Sequence, residues 1–132
     1  MGETAVVPTA TSAQVATATP GIPSTYTLKE GEFPYCIARR FNVDPGTLLA
    51  VNGMTPSSAV SPGLTLTIPQ SAGEFPPPRA LRSHPATYTV QAGDTIYSIA
   101  CLFGDVDPNA IAAANGLSSP YTLTPGTVLN IP

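Results

Sequence analysis

The chain has 132 residues and little charge: five Lys or Arg against eight Asp or Glu, a net charge of −3 and a pI of about 4.7. The basic residues, Lys29, Arg39, Arg40, Arg79 and Arg82, form no stripe able to neutralise a run of phosphates, which argues against nucleic acid and anionic membrane surfaces as partners. No apolar run approaches the roughly 18 residues that span a bilayer, so membrane insertion is not expected either.

Residues 1–25 form an extended Thr/Ala/Val/Pro/Ser tail with a single charge, Glu3, and no aromatic residue. Two readings stay open for it. Its composition fits a disordered, O-glycosylated stalk. Its Val6-Val7, Thr9-x-Thr11 and Val15-x-Thr17-x-Thr19 stretches are also β-competent, so it is able to add short strands to the exposed sheet edge of a neighbouring copy, interrupted by Pro8, Pro20 and Pro23. Met1 to Pro8 lacks the basic and apolar regions of a secretory leader. Either a leader has been removed and the numbering starts near a mature terminus, or the chain is an excised piece; its composition favours an extracellular or cell-surface location.

Residues 26–69 read as strand, helix, helix, strand. Tyr26-Thr27-Leu28 is a short strand ended by Gly31, and Ile37, Ala38 and Phe41 make the buried stripe of a first helix. Asp44-Pro45 opens a second helix, carboxylate as cap and proline at the first position, which stops at Asn52-Gly53. Leu64 to Ile68 closes the unit as a strand. Residues 70–87 follow as a linker whose Glu74-Phe75-Pro76-Pro77-Pro78 run predicts a stiff polyproline spacer. His84, the only histidine, lies beside Pro85 and reads as a solvated linker residue.

Residues 88–132 repeat the pattern. Tyr88-Thr89-Val90 is the strand ended by Gly93, Asp94 and Thr95 are cap residues, and Ile96, Ile99, Ala100 and Phe103 form the helical stripe. Asp107-Pro108 starts the second helix, Asn115-Gly116 ends it, and Thr127 to Ile131 is the last strand after the Pro125-Gly126 turn. A duplication of this kind sets the unit of folding and outranks any local signal. Each unit is so small that burial barely offsets chain entropy, so a crosslink or association is expected as well. Cys36 aligns with Ser98 and Cys101 with Arg39, positions that share one face of equivalent helices. If those faces meet, Cys36 and Cys101 are able to join the two units; a bridge between subunits and two small buried thiols are the alternatives.

Nothing in the sequence points to catalysis. Glu30, Glu32, Asp94 and Asp107 are cap and loop residues without the paired arrangement of glycoside hydrolysis, and no His/Cys spacing predicts a metal or cofactor site.

The second unit resembles a lysin motif, LysM, of bacterial type, and the two units together resemble a tandem of such modules. The carriers are Tyr88 through Ala100 (YTVQAGDTIYSIA), Asn115-Gly116-Leu117, and Pro125 through Pro132 (PGTVLNIP), three separated blocks in the family's order. The first unit matches over residues 26–69 but departs at Glu32-Phe33-Pro34, where the family has Asp-Thr and an aliphatic residue. The resemblance implies an α+β fold: two βααβ modules, each a two-stranded antiparallel sheet with two helices on one side. It also implies non-catalytic binding of glycans that contain N-acetylglucosamine, such as peptidoglycan or chitin, in a shallow groove between two loops. In module 2 that groove would involve Gly93, Asp94, Thr95, Ile96 and Tyr97, with Asn115, Gly116, Leu117 and Ser118. In module 1 it would involve Gly31, Glu32, Phe33, Pro34 and Tyr35, with Asn52, Gly53 and Met54. Gly93, Asp94, Asn115 and Gly116 also serve turns and caps that a module binding nothing would need, and Tyr35 and Tyr97 also read as packing residues. The competing reading is a structural subunit that self-assembles into a fibre or layer, the tail of residues 1–25 docking on the next copy.

Overall fold

The computed structural model describes residues 21–132, so the expectations placed on residues 1–20 lie outside the described residues. The elements, in chain order, are β1 (Thr25–Thr27), α1 (Pro34–Phe41), α2 (Pro45–Val51), β2 (Thr65–Thr67), β3 (Ala86–Thr89), α3 (Ile96–Phe103), α4 (Pro108–Ala114) and β4 (Val128–Ile131). β1 pairs antiparallel with β2, Tyr26 opposite Leu66, and β3 with β4, Tyr88 opposite Leu129. The two sheets do not join. Two βααβ modules result, as the repeat predicts.

The helices start where the sequence removes or satisfies an orphan N–H. Pro34 stands at the start of α1, where its missing N–H costs nothing, and the Glu-Phe-Pro departure in module 1 leaves the helix intact. Asp44 caps α2 by accepting from Thr47 N at 2.9 Å, and Asp107 caps α4 by accepting from Asn109 N at 3.0 Å. At the far end of these helices Asn52 and Asn115 do one job twice. Asn115 Nδ2 donates to Ile111 O and Asn130 O, and its Oδ1 accepts from Asn130 N, each at 2.8 Å. Asn52 makes the matching set with Leu48 O, Thr67 O and Thr67 N. One side chain thus ties the second helix to the last strand in each module.

Each module has its own apolar core. Leu28, Ile37, Leu48, Leu66 and Ile68 fill the first, and Val90, Ile96, Ile99, Ile111, Leu129 and Ile131 the second. Full burial of one such side chain contributes about 1.5–3 kcal/mol, so two cores of this size leave little margin over chain entropy.

Two further structures supply more. The linker expected to be a spacer is packed along both modules. Phe75 is buried in the core of module 1, with the Arg39 guanidinium 4.5 Å over its ring and Tyr35 edge-on at 6.3 Å. Arg79 donates from Nε to Arg39 O at 3.0 Å and from Nη2 to Arg40 O at 2.8 Å, taking up carbonyls at the end of α1. Leu81 N donates to Phe103 O at 2.7 Å at the end of α3. Helix C-termini carry carbonyls without internal partners, and this one segment satisfies some on each module. β3 also begins at Ala86, within the stretch read as linker. His84 is not solvated: its Nε2 lies 2.8 Å from Asp105 Oδ1 and its side chain is 15% exposed. The physical reason is the same, since the linker lies against the modules instead of bridging open solvent.

The second structure is the Cys36–Cys101 disulfide, joining α1 to α3 with the Cα atoms 5.3 Å apart. Of the pairings the sequence leaves open, the bridge within the chain is the one found. Beside it Arg40 is buried, and its Nη1 donates to Glu32 Oε2 at 2.8 Å in an ion pair whose side chains are 1% and 0% exposed. Nη2 of the same guanidinium reaches both sulfurs, at 3.6 Å and 3.8 Å. The interface between modules is therefore crosslinked, and a paired charge lies against the crosslink.

Candidate functional site

The loop between the first strand and first helix is built in both modules around one carboxylate. In module 2, Asp94 Oδ2 accepts from Gln91 N at 2.9 Å and from the Tyr88 hydroxyl at 2.7 Å, while Asp94 Oδ1 accepts from the Ser98 hydroxyl. The hydrogen bond to Asp94 holds the Tyr88 phenol above its usual pKa, with burial adding to the shift. In module 1, Glu32 Oε1 accepts from Lys29 N at 2.8 Å and the Tyr26 hydroxyl donates to both its oxygens at 2.9 Å. Burial raises the Tyr26 phenol still further; Arg40 opposes that rise and Glu32 reinforces it. Both carboxylates thus close a turn. Only Glu32 also takes a guanidinium, and with it the loop of module 1 turns inward.

At the start of α3, Thr95 and Ser98 form a reciprocal capping box: Ser98 N donates to Thr95 Oγ1 at 3.0 Å and Thr95 N to Ser98 Oγ at 2.9 Å. The box leaves the N–H groups of Ile96 and Tyr97 without an acceptor among the described residues. Ile96 and Tyr97 line a cleft of about 480 Å³, within the roughly 300–1,000 Å³ of small-molecule sites. From module 2, Asp94, Thr95, Ile96 and Tyr97 line it together with Pro120, Tyr121, Thr122 and Leu123. The Tyr97 and Tyr121 rings meet edge to face at 6.4 Å. Burial pushes the Tyr97 phenol upward, so it stays a neutral donor through the physiological range.

The expected groove residues divide accordingly. Asp94 to Tyr97 are brought together in the cleft. Gly93 is exposed with a φ of 87°, and Gly116 holds the turn after α4 with a φ of 65°. The Asn115 side chain is committed to the scaffold, and Leu117 packs against the module 2 core. The exposed Ser118 gives its carbonyl to Tyr121 N at 2.9 Å. In module 1, Glu32 and Pro34 are buried, Phe33 and Tyr35 are exposed, Asn52 is committed like Asn115, Gly53 turns with a φ of 64°, and Met54 packs on the core. Sequence reasoning missed Pro120 to Leu123. The signal was present as a difference between repeats: module 2 carries the aromatic Tyr121 where module 1 carries Ser58.

Among the described residues no cluster of three or more His, Cys, Asp or Glu is placed to hold a metal ion, and no helix is long and apolar enough to cross a membrane.

Fold and cleft together define a class: a tandem of small βααβ modules with a shallow, largely uncharged cleft at the mouth of a helix. The family model described as "LysM domain" matches residues 26–69 and 88–132, more than half of the chain, and the chain belongs to that family. It is 30% identical over 129 residues to an N-acetylmuramoyl-L-alanine amidase sle1 of Staphylococcus epidermidis, covering 97% of this chain and 37% of that protein. It is 47% identical over 55 residues to a lipoprotein NlpD/LppB homolog of Pseudomonas aeruginosa, covering 39% of this chain and 18% of that one. The chain thus spans well under half the length of these relatives. Among solved structures it is similar to the spore cortex-lytic enzyme SleL of Bacillus cereus, at 24% identity and a TM-score of 0.34, covering 82% of this chain and 22% of that one.

Proposed function

We propose that this chain is a non-catalytic binding unit of the cell envelope or extracellular space, recognising polymers that contain N-acetylglucosamine, such as peptidoglycan or chitin, through the cleft of module 2. The observation that carries the reading is the pairing of polar groups at the start of α3 with apolar walls in a LysM module. Thr95, Ile96 and Tyr97 line the cleft beside Pro120, Tyr121 and Leu123. An acetamido group asks for that combination: its carbonyl accepts hydrogen bonds, and its methyl rests against a small apolar surface. Asp94 and Asn115 support the cleft by shaping its turns, and their side-chain polar atoms are mostly engaged there. The relatives whose names refer to an amidase acting on muramoyl linkages add weight to a wall polymer as ligand.

The test is calorimetric titration with N-acetylglucosamine oligomers and soluble peptidoglycan fragments, beside co-sedimentation with insoluble chitin and cell wall. Saturable binding that weakens in Tyr121→Ser is expected. A wild-type protein that gives no heat and stays in the supernatant ends the proposal. Head-to-tail assembly through residues 1–25 gains no support from the described residues and carries no second reading.

A further inference from the structure

The cleft of module 2 is not made by module 2 alone. Leu28, Lys29, Glu30 and Pro62 of module 1 line it as well. Their position is held by three independent contacts. Thr95 Oγ1, the capping hydroxyl of α3, donates to Glu30 O at 3.1 Å. Gly31 lies so close to α3 that a Cβ placed on it would stand 2.7 Å from Ser98 Cβ. Behind both, the Cys36–Cys101 bond fixes α1 to α3.

Flexible tethering would let module 1 drift away from the ligand; here a covalent bond, a hydrogen bond and a steric fit aim the turn of one module into the mouth of the other. The turn is itself rigid, because Glu32 holds Lys29 N and is in turn held by the buried Arg40. Lys29 and Glu30 are exposed side chains on that rigid turn, and Pro62 is an exposed ring facing the same space.

The geometry points to a composite site: the Leu28–Glu30 turn and Pro62 of module 1 contact the same acetamido-sugar chain that occupies the cleft of module 2, and so set its affinity and register. This rests on the glycan reading above. The chemistry fits an oligosaccharide, since Lys29 and Glu30 offer one donor-rich and one acceptor-rich group on the same turn, as sugar hydroxyls require. Module 1 is then a wall of one site, and the disulfide is what keeps the wall in place.

The experiment is a titration of the full chain with the N-acetylglucosamine tetramer, followed by amide chemical shifts and calorimetry. Wild type is compared with the doubly substituted Lys29→Ser, Pro62→Ser protein, whose changes are both at exposed positions. The amides of Lys29 and Glu30 are expected to shift along the same isotherm as those of Asp94 to Tyr97, and the double variant to bind about tenfold more weakly, a loss of about 1.4 kcal/mol. Stationary Lys29 and Glu30 amides, or a variant that binds as the wild type does, overturn the composite site while leaving a ligand in module 2. No shift in either module at millimolar tetramer removes the glycan reading itself, and the composite site with it.

Discussion

Glu32 and Asp94 occupy the same position of one repeated loop and have diverged in what they face. Both accept from the N–H three residues earlier and from the tyrosine of the first strand. Asp94 then meets Ser98, stays half-buried and borders an open cleft, whereas Glu32 meets Arg40 and is buried with it. A carboxylate can be taken fully out of water only when a counter-charge and hydrogen bonds replace its hydration. Arg40 supplies that charge in module 1; the corresponding position in module 2 is Leu102, so Asp94 has to remain near solvent. The comparison teaches that a duplicated turn can border an open cleft in one copy and act as an inward anchor in the other without altering the turn itself.

The largest expected way to break that asymmetry is to cut the bond between the copies. Replacing both Cys36 and Cys101 by Ser releases a closure of 65 residues, which costs about 4 kcal/mol on the chain-entropy account. Urea denaturation should show this loss, and a change below 1 kcal/mol would mean that the packed linker alone holds the modules together. Next comes Arg40→Met, which leaves Glu32 buried without its counter-charge. Losing one partner of a buried pair costs about 3 kcal/mol even with the Tyr26 hydroxyl and Lys29 N still donating, whereas Asp94→Asn should cost only about 1 kcal/mol. Equal losses in the two variants, read by thermal melting, would contradict the inward-anchor reading.

A finer comparison uses the two turn glycines. Gly31 and Gly93 have almost the same backbone angle, with φ of 88° and 87°, but only at Gly31 would a Cβ collide, against Ser98. Gly93→Ala should cost about 1 kcal/mol for the backbone alone, and Gly31→Ala at least that plus the displacement of one module from the other. If the two melt alike, the close approach of the turn to α3 is not a stabilising contact. The smallest effect is at alkaline pH. Tyr26 and Tyr88 bind their protons more tightly folded than unfolded, their phenols lying above the usual 10.0. Their contribution to stability is therefore complete below that value and is lost as pH rises through the folded values. Absorbance titration should show Tyr26 ionising after Tyr88, the more buried phenol last; the reverse order would place the Tyr26 phenol in a wetter environment than described.

The repeat, the four helices and the antiparallel pairing were legible because local rules carry them: Asp-Pro and Asn-Gly at helix ends, β-branched strands, an apolar stripe at helical spacing. The paired cysteines were legible as a possibility, since their positions share a helical face, yet a bridge within the chain, a bridge between subunits and two free thiols all fitted. The cleft was half legible, through Asp94 to Tyr97. Its other wall was missed because Pro120 to Leu123 carry no periodicity, and Tyr121 is held there by a left-handed backbone, φ 55°, that nothing in the local sequence announces. The packing of the linker against the modules was not legible, because three prolines dictate extended backbone but say nothing of what lies beside it.

The amino-acid sequence by itself determined the unit of folding and its membership of a family, because both depend on residues a few positions apart whose caps, turns and stripes are decided locally. Only the tertiary structure decided which cysteine pairing forms, that Glu32 turns in toward Arg40, and that the turn of one module reaches the mouth of the other. Those outcomes depend on atoms brought together from Cys36 and Cys101, or Glu30 and Thr95. Contacts between distant positions are selected by packing and desolvation over the whole chain, and no local pattern encodes them.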